Sequence, residues 1–465
     1  PVVCVRYLSR NFVDESFYDA MRVFAEVVGA QERCESVLSF IDECKQDLND
    51  RTKDIPDSDK QKVYTGAVTF SGRHGFGGTY AHFGPFMGVN ALNVADEAAD
   101  QNYYEVDLEK VIEWDPDIIF LDPGNMDLVN DEYNTNPGFF DALRARIVPL
   151  VRRIQTEGKP IRMDFMSRPC PISQQEAFSK YLLEKEGLRK TALVLMTTEH
   201  PFTTNFGAKD VRVTTHYFED NFISNIFSTL HEGGHALFMQ NEPQEFYANH
   251  AANAMSNAMH ETISRFYENL IGRSEAFIHF VYPKLLEISG NLSDVSEREL
   301  YEAVNIARPS LIRTEADELT YSLHILIRYE LEKAFINGDI TVDKIPALWN
   351  AKYKEYLGID VPNDAGGCLQ DVHWTGMFGY FPSYALGNAY GVQILRTMQK
   401  DFDVFAAVER GELSKVADWL REYVFSCASV MDPDEWIRHI TGESLNPDYY
   451  LRYLEEKYSK LYELK

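Results

Sequence analysis

The stretch from Asn221 to Asn241, NFISNIFSTLHEGGHALFMQN, constrains this chain more than any other. Apolar residues at Phe222, Ile223, Ile226, Phe227, Leu230, Leu237 and Phe238 keep the helical period, which predicts one long, largely buried helix. Within it His231, Glu232 and His235 form an HExxH pattern. Residues four apart share a helix face, so the two imidazoles can grip one ion while Glu232, beside them, is free to act as a base. Gly233 and Gly234 oppose a helix, since each costs about 1 kcal/mol against alanine. Their presence predicts that substrate or a neighbouring helix approaches bare backbone at that point.

An HExxH by itself is also compatible with an ordinary amphipathic helix. A third ligand candidate lies in SNAMHETISRFYENLIG. There Met259, Ile263, Phe266 and Leu270 mark the buried face of a second helix, and Glu261 projects roughly 160 to 180° away from them. Glu261 is either a solvated carboxylate or a ligand facing a cleft. In the second case, two histidines and one glutamate with an open fourth position make a catalytic rather than a structural zinc site.

At 465 residues the chain is longer than one typical domain. No apolar run reaches the eighteen or so residues of a membrane helix. A formal net charge of -27 disfavours nucleic acid and anionic membrane surfaces as partners. The six cysteines, Cys4, Cys34, Cys44, Cys170, Cys368 and Cys427, form no CxxC, and no charged-then-apolar leader precedes Pro1. Reduced thiols in a cytoplasmic protein are the expectation.

The fold class expected is mainly α, a helical HExxH domain preceded by an α/β lobe. Residues 1–146 read as the lobe: a helical segment from Phe17 to Leu48, strands in KVYTGAVTF and DIIFLD, and a short helix in VDLEKVIEWDP between them. The glycine cluster GRHGFGGTYAHFG does not fit GxGxxG, because Tyr80 stands where the third glycine is needed, so a nucleotide fingerprint is not supported. Residues 147–465 read as helices over Phe178–Leu188, Met259–Ile271, Phe277–Ile288, Leu311–Phe335, Tyr384–Met398 and Val416–Phe425. The tail places Tyr450, Leu454, Tyr458 and Leu461 on one stripe, as core or subunit contact.

Peptide hydrolysis also needs donors for the oxyanion. A carboxypeptidase needs a cation for the free carboxylate, which suits arginine's planar fork. Arg313, in LIRTEADELTYSLHI, is the candidate; its alternative is a surface arginine paired with Glu315 or Asp317. In LQDVHWTGMFGYFPSYALGN, His373, Tyr380 or Tyr384 is either a donor to the tetrahedral intermediate or part of a packed loop. His200 and His216, taken singly, read as structural.

Taken together, HPF at His200–Phe202, DVRVTT at Asp210–Thr215, HEGGH at His231–His235, HET at His260–Thr262, IRTEAD at Ile312–Asp317, QDVHW at Gln370–Trp374 and GYFPSYALGN at Gly379–Asn388 resemble the carboxypeptidase Taq family of zinc or cobalt metallocarboxypeptidases. The resemblance implies His231, His235 and Glu261 as ligands of one zinc, or cobalt, per chain and Glu232 as general base. It implies Arg313 as anchor for the substrate carboxylate. Catalytic candidates alongside Glu232 are His373 and Tyr380; His200, Arg212 and Tyr384 join Arg313 as substrate-binding candidates. A mostly helical fold around a deep cleft, a homodimer, and peptide substrates with a free C-terminus are implied as well. Three positions depart from the usual pattern: Thr262 and Ile263 replace Ser and Gln, and His216 replaces Arg.

Members of that family carry a long helical N-terminal portion that walls the cleft. Here RCESVLSFIDECKQDLNDRT, GPFMGVNALNVADEA and DLEKVIEWDPDIIFLDPGNMDLVN instead resemble the hinge helix and C-terminal lobe of an iron-complex substrate-binding protein of an ABC importer. The junction is expected near Asp141 to Arg146. The leading expectation is a metal-dependent carboxypeptidase. Alternatives are a metallo-aminopeptidase or endopeptidase, an iron-complex binding protein, and a catalytically inactive fusion.

Overall fold

The computed structural model describes residues 15–68, 77–98, 103–106, 108–121, 137–243, 245–246, 256–371 and 379–464. The chain divides into two compact units, Pro1–Val129 and Asn130–Lys465.

The first unit opens with a helical hairpin, α1 (Glu15–Val28) and α2 (Gln31–Thr52). The single helix expected over Phe17–Leu48 is broken because Gly29 takes a left-handed φ of 71°. Strands follow at β1 (Lys62–Gly66), β2 (Gly78–Tyr80), β3 (Leu92–Asn93), β4 (Tyr103–Glu105) and β5 (Ile118–Leu121). Helices α3 (Gly84–Gly88) and α4 (Leu108–Trp114) lie between them. β1 pairs in parallel with β3 and with β5, Tyr64 opposite Ile119, and α4 is the crossover before β5. β2 and β4 form a separate antiparallel pair. Tyr64, Val111 and Trp114 make this unit's small α/β core. The expected long strand KVYTGAVTF stops at Gly66, because Ala67 turns to a positive φ of 59°.

The second unit is mostly helical. It begins with α5 (Pro137–Glu157), which runs unbroken through residue 146. Phe139, Phe140, Leu143, Ile147, Val151 and Ile154 along it all enter one core, so the division falls at 129/130 and the expected junction lies inside a helix. After α6 (Ile172–Lys185), strands β6 (Leu193–Thr197), β7 (Thr203–Asn205) and β8 (Val211–Thr215) form a sheet in the order β6-β8-β7, parallel at β6-β8 and antiparallel at β7-β8. Strand alternation buries Val211 and Val213 on the face that packs against the next helix, α7 (Phe222–Asn241).

α8 (Asn257–Arg265) continues as a π-helical turn over Phe266–Ile271. Then come α9 (Glu275–Ser289), α10 (Glu297–Val304), α11 (Glu318–Ile336) and α12 (Ile345–Leu357). α13 (Phe381–Asp401), α14 (Val404–Glu409), α15 (Leu413–Leu420), α16 (Pro433–Thr441) and α17 (Pro447–Tyr462) complete the unit. The expected helix over Leu311–Phe335 starts late: Asp317 caps α11 through Thr320 N, and Arg313 sits in a short 3-10 turn before it. On α17, Tyr450, Leu454, Tyr458 and Leu461 are all core residues, which resolves that stripe as internal packing.

Candidate metal centre

α7 is buried on nearly every side, so its polar residues need internal partners. His231 and His235 emerge one turn apart on it, and Glu261 reaches them from α8, itself only 9% exposed. Nε2 of His231 lies 3.7 Å from Glu261 Oε2, and Nε2 of His235 lies 3.9 Å from Glu261 Oε1. One donor atom from each of the three falls within 4.8 Å of the others. Glu261 is therefore not a solvated surface carboxylate. Two imidazole nitrogens and one carboxylate oxygen, converging and partly accessible, fit a divalent ion with a remaining open position.

The two glycines of HEGGH have different neighbours. A methyl group on Gly234 would lie 2.7 Å from Ser264 Cα, so it is the backbone of α8 that approaches there. A methyl on Gly233 would collide with Glu186 Oε2 at the end of α6. On the far side of α8, a methyl on Gly387 of α13 would meet Glu261 Cβ at 3.1 Å. α8 is thus pinned between two glycine-lined helix faces at the residue that supplies the third ligand.

Each imidazole has a partner on its other nitrogen. His231 Nδ1 lies 2.8 Å from Glu268 Oε2, and His235 Nδ1 lies 2.6 Å from Nδ1 of His260. Burial alone would raise the Glu268 carboxyl, but Arg265, His231 and Arg273 outweigh it and hold the group at about 2. Arg265 donates to Glu268 over 2.9 Å and stacks on the Tyr321 ring at 4.0 Å. Ser264 Oγ donates to Glu261 Oε2 over 3.0 Å. Glu232 is buried, which raises its pKa, and its Oε2 accepts from Thr203 Oγ1 of β7 at 2.7 Å. A buried carboxylate with a raised pKa is suited to taking up and passing on a proton.

Arg313 is buried and pairs with neither Glu315 nor Asp317. Its Nε donates to Asp371 Oδ1 over 3.0 Å and its Nη1 to Tyr321 OH over 3.2 Å, while Nη2 makes no hydrogen bond among the described residues. Arg328, fully buried, donates from Nε to the other oxygen of Asp371 at 2.6 Å. Two guanidiniums thus face one carboxylate. The Arg313 guanidinium also lies 4.8 Å from the Tyr384 ring, and Tyr384 feels the charges of both Arg313 and Glu261. Burial pushes the Tyr384 phenol well above its usual range, so it stays a donor. Tyr380 stacks edge-on against Tyr384, ring centroids 5.1 Å apart.

Not every expected residue joins this cluster. Arg212 alternates with buried Val211 and Val213, so it lies on the opposite face of the sheet, paired with Asp210 at 2.9 Å and set over the Phe206 ring; this placement does not support a substrate-binding role. His200 is exposed in the turn before β7, where its carbonyl accepts from Thr198. His216 contacts Ser224 Oγ at 3.0 Å, as a structural histidine would. His373 lies outside the described residues. Thr203 lies outside the motifs quoted above, while His260, Asp371 and Glu268 fall within HET, QDVHW and the second-helix stretch without a role assigned to them there. Glu268 stands two helical turns beyond Glu261 and so on the same side.

A helix-borne HExxH completed by a glutamate from a second helix defines an HExxH metallopeptidase site. Residues 130–458 match the family described as Carboxypeptidase Taq (M32) metallopeptidase, and the chain belongs to that family. It is 43% identical over 326 residues to Carboxypeptidase 1 of Bacillus subtilis, covering 70% of this chain and 65% of that one. It is 40% identical over 325 residues to Thermostable carboxypeptidase 1 of Thermus thermophilus, covering 70% and 64%. The crystal structure of the M32 carboxypeptidase from Deinococcus radiodurans superposes with a TM-score of 0.68 at 37% identity, over 70% of this chain and 67% of that one. The chain thus spans slightly under two thirds of the length of those curated relatives. Residues 1–148 match the periplasmic binding protein family instead, overlapping the first match along α5.

Proposed function

We propose that this chain is a metal-dependent carboxypeptidase that removes C-terminal residues from peptides. The observation that supports the reading is the arginine pair around Asp371: two buried guanidiniums face one carboxylate, and the Arg313 group, whose Nη2 makes no hydrogen bond among the described residues, lies against the Tyr384 ring, a setting that suits an anionic ligand. A peptide's terminal carboxylate supplies that anion with the geometry a guanidinium fork prefers.

His231, His235 and Glu261 would hold the ion, with zinc best suited to the donor set and cobalt an alternative. When bound, a divalent ion supplies Lewis acidity that polarises the scissile carbonyl and acidifies water. Glu232, held by Thr203, takes the proton from the attacking water and returns it to the leaving amine. Arg313 anchors the carboxylate and so fixes which peptide bond meets Glu232. Tyr384, kept protonated by burial, is the proposed donor to the developing oxyanion, and the Tyr380 ring packs edge-on against it. We take the enzyme to be cytoplasmic and homodimeric. The free thiols of Cys34, Cys44, Cys170, Cys368 and Cys427 support the first, and the family resemblance alone implies the second.

The test is release of the C-terminal amino acid from an N-blocked dipeptide, by the metal-loaded chain and again after chelation. Chelator-sensitive release from the free acid, and none from the C-terminal amide, is expected. Equal cleavage of both would turn the reading to an endopeptidase, and no release despite one bound metal per chain would overturn it.

A further inference from the structure

We propose that His260 is a positioning residue for the metal centre: a neutral hydrogen-bond acceptor that fixes the tautomer and ring orientation of His235. The proposal rests on the reading of His231, His235 and Glu261 as metal ligands.

The two ring nitrogens of His235 face different ways. Nε2 looks toward Glu261, 3.9 Å away, and Nδ1 is 2.6 Å from Nδ1 of His260. An imidazole that offers Nε2 as a lone-pair donor carries its proton on Nδ1. That N–H must find an acceptor, and the atom in reach is a second ring nitrogen. Two N–H groups cannot face each other at this distance, so His260 Nδ1 must accept and its own proton must sit on Nε2.

The position of His260 is itself constrained. Its ring packs 5.0 Å from the ring of Phe238, one turn beyond His235 on α7. Its own amide bonds to the carbonyl of Ser256, the residue that caps α8 through Met259 N. His260 is also the chain neighbour of Glu261. One short helix therefore presents the third ligand and, one residue earlier, the support for the second. The two ligand histidines are backed by unlike partners, an anionic carboxylate for His231 and a neutral imidazole for His235. Partners of this kind set ring orientation and basicity, and their loss typically costs 10- to 100-fold in metal affinity.

Asparagine and leucine separate this role from simple packing. They are close in size, and the amide oxygen of asparagine can accept near the place of Nδ1, whereas leucine can only fill space. The experiment is a chelator-competition titration with zinc on the full chain, for wild type, His260→Asn and His260→Leu, together with thermal unfolding of the metal-free forms. His260→Leu is expected to bind zinc 10- to 100-fold more weakly and His260→Asn within about three-fold of wild type, with all three metal-free proteins unfolding alike. Equal affinities for all three, or equal losses in both variants, would overturn the positioning role. So would a loss in His260→Leu that is accompanied by a matching fall in the unfolding temperature of its metal-free form. A wild type that binds no zinc would overturn the metal-centre reading itself, a result the variants cannot mimic.

Discussion

Glu268 Oε2 lies 2.8 Å from Nδ1 of His231, on the side of the ring opposite the Nε2 that faces Glu261. The pair joins the start of HEGGH to the end of the second motif's helix. It holds His231 in one tautomer with an anion behind it, and Arg265 and Arg273 keep that anion ionised even though it is buried. Replacing Glu268 by Gln keeps the shape and removes the charge. Zinc affinity measured by chelator competition is expected to fall by about 10- to 100-fold. An unchanged affinity would mean the contact is incidental.

Arg313→Ala should damage cleavage of peptides with a free C-terminal carboxylate by about 100-fold in kcat/KM and leave the amidated peptide at its low baseline. Asp371→Asn should move in the same direction, because Asp371 orients the Arg313 fork through Nε and balances Arg328. Arg313→Lys should rescue poorly, since a lysine ammonium cannot reproduce a planar, two-pronged donor. Parallel losses on both peptides would count against the carboxylate anchor.

Glu232→Gln should abolish turnover with zinc stoichiometry intact, because the carboxylate lies beside the ligands rather than among them. Thr203→Val should be milder, on the order of ten-fold in kcat, from losing the hydroxyl that holds Glu232 Oε2. A glutamine variant that still turns over at the wild-type rate would remove Glu232 from its role as base.

Glu186 is 1% exposed, and neither of its carboxyl oxygens has a hydrogen-bond partner among the described residues; the nearby Tyr267 hydroxyl is also unsatisfied. Burial raises the Glu186 carboxyl well above its ordinary range. The folded chain therefore holds this proton over a pH range in which the unfolded chain, with a glutamate value of about 4.3, has released it. Stability from this group is full below about pH 4 and declines as pH rises toward the folded value. Glu186→Gln abolishes that slope, so its unfolding temperature should match wild type near pH 4 and exceed it increasingly toward pH 8. A difference that does not grow with pH would show that Glu186 is ionised in the fold.

Gly234→Ala should cost about 1–3 kcal/mol and weaken zinc binding, because its methyl meets the α8 backbone at Ser264, three residues beyond the proposed ligand Glu261. The Gly233→Ala methyl meets the Glu186 carboxyl first, so adding Glu186→Ala should recover much of its loss, whereas the same addition should not rescue Gly234→Ala. Denaturant unfolding of the single and double variants decides this, and strictly additive effects would argue against the contact.

Legible in the sequence are the HExxH helix, its proposed pairing with a second helix through Glu261, and the change in texture between an α/β front and a helical remainder. These are local properties: helical period, spacing of four, and turn chemistry read within a window of residues. It also placed an arginine in IRTEAD, though not its partner. That Arg313 leans on Asp371, that Thr203 holds Glu232, and that His260 backs His235 emerge with the packed fold, because those contacts depend on how elements far apart in the chain meet. One helix, Pro137–Glu157, also runs through the expected junction near Asp141 to Arg146, while the compact units divide at 129/130 and the periplasmic binding protein match extends to residue 148. Arg212 shows the same limit from the other side: its motif was legible, but strand alternation against a buried face sent its side chain away from the site.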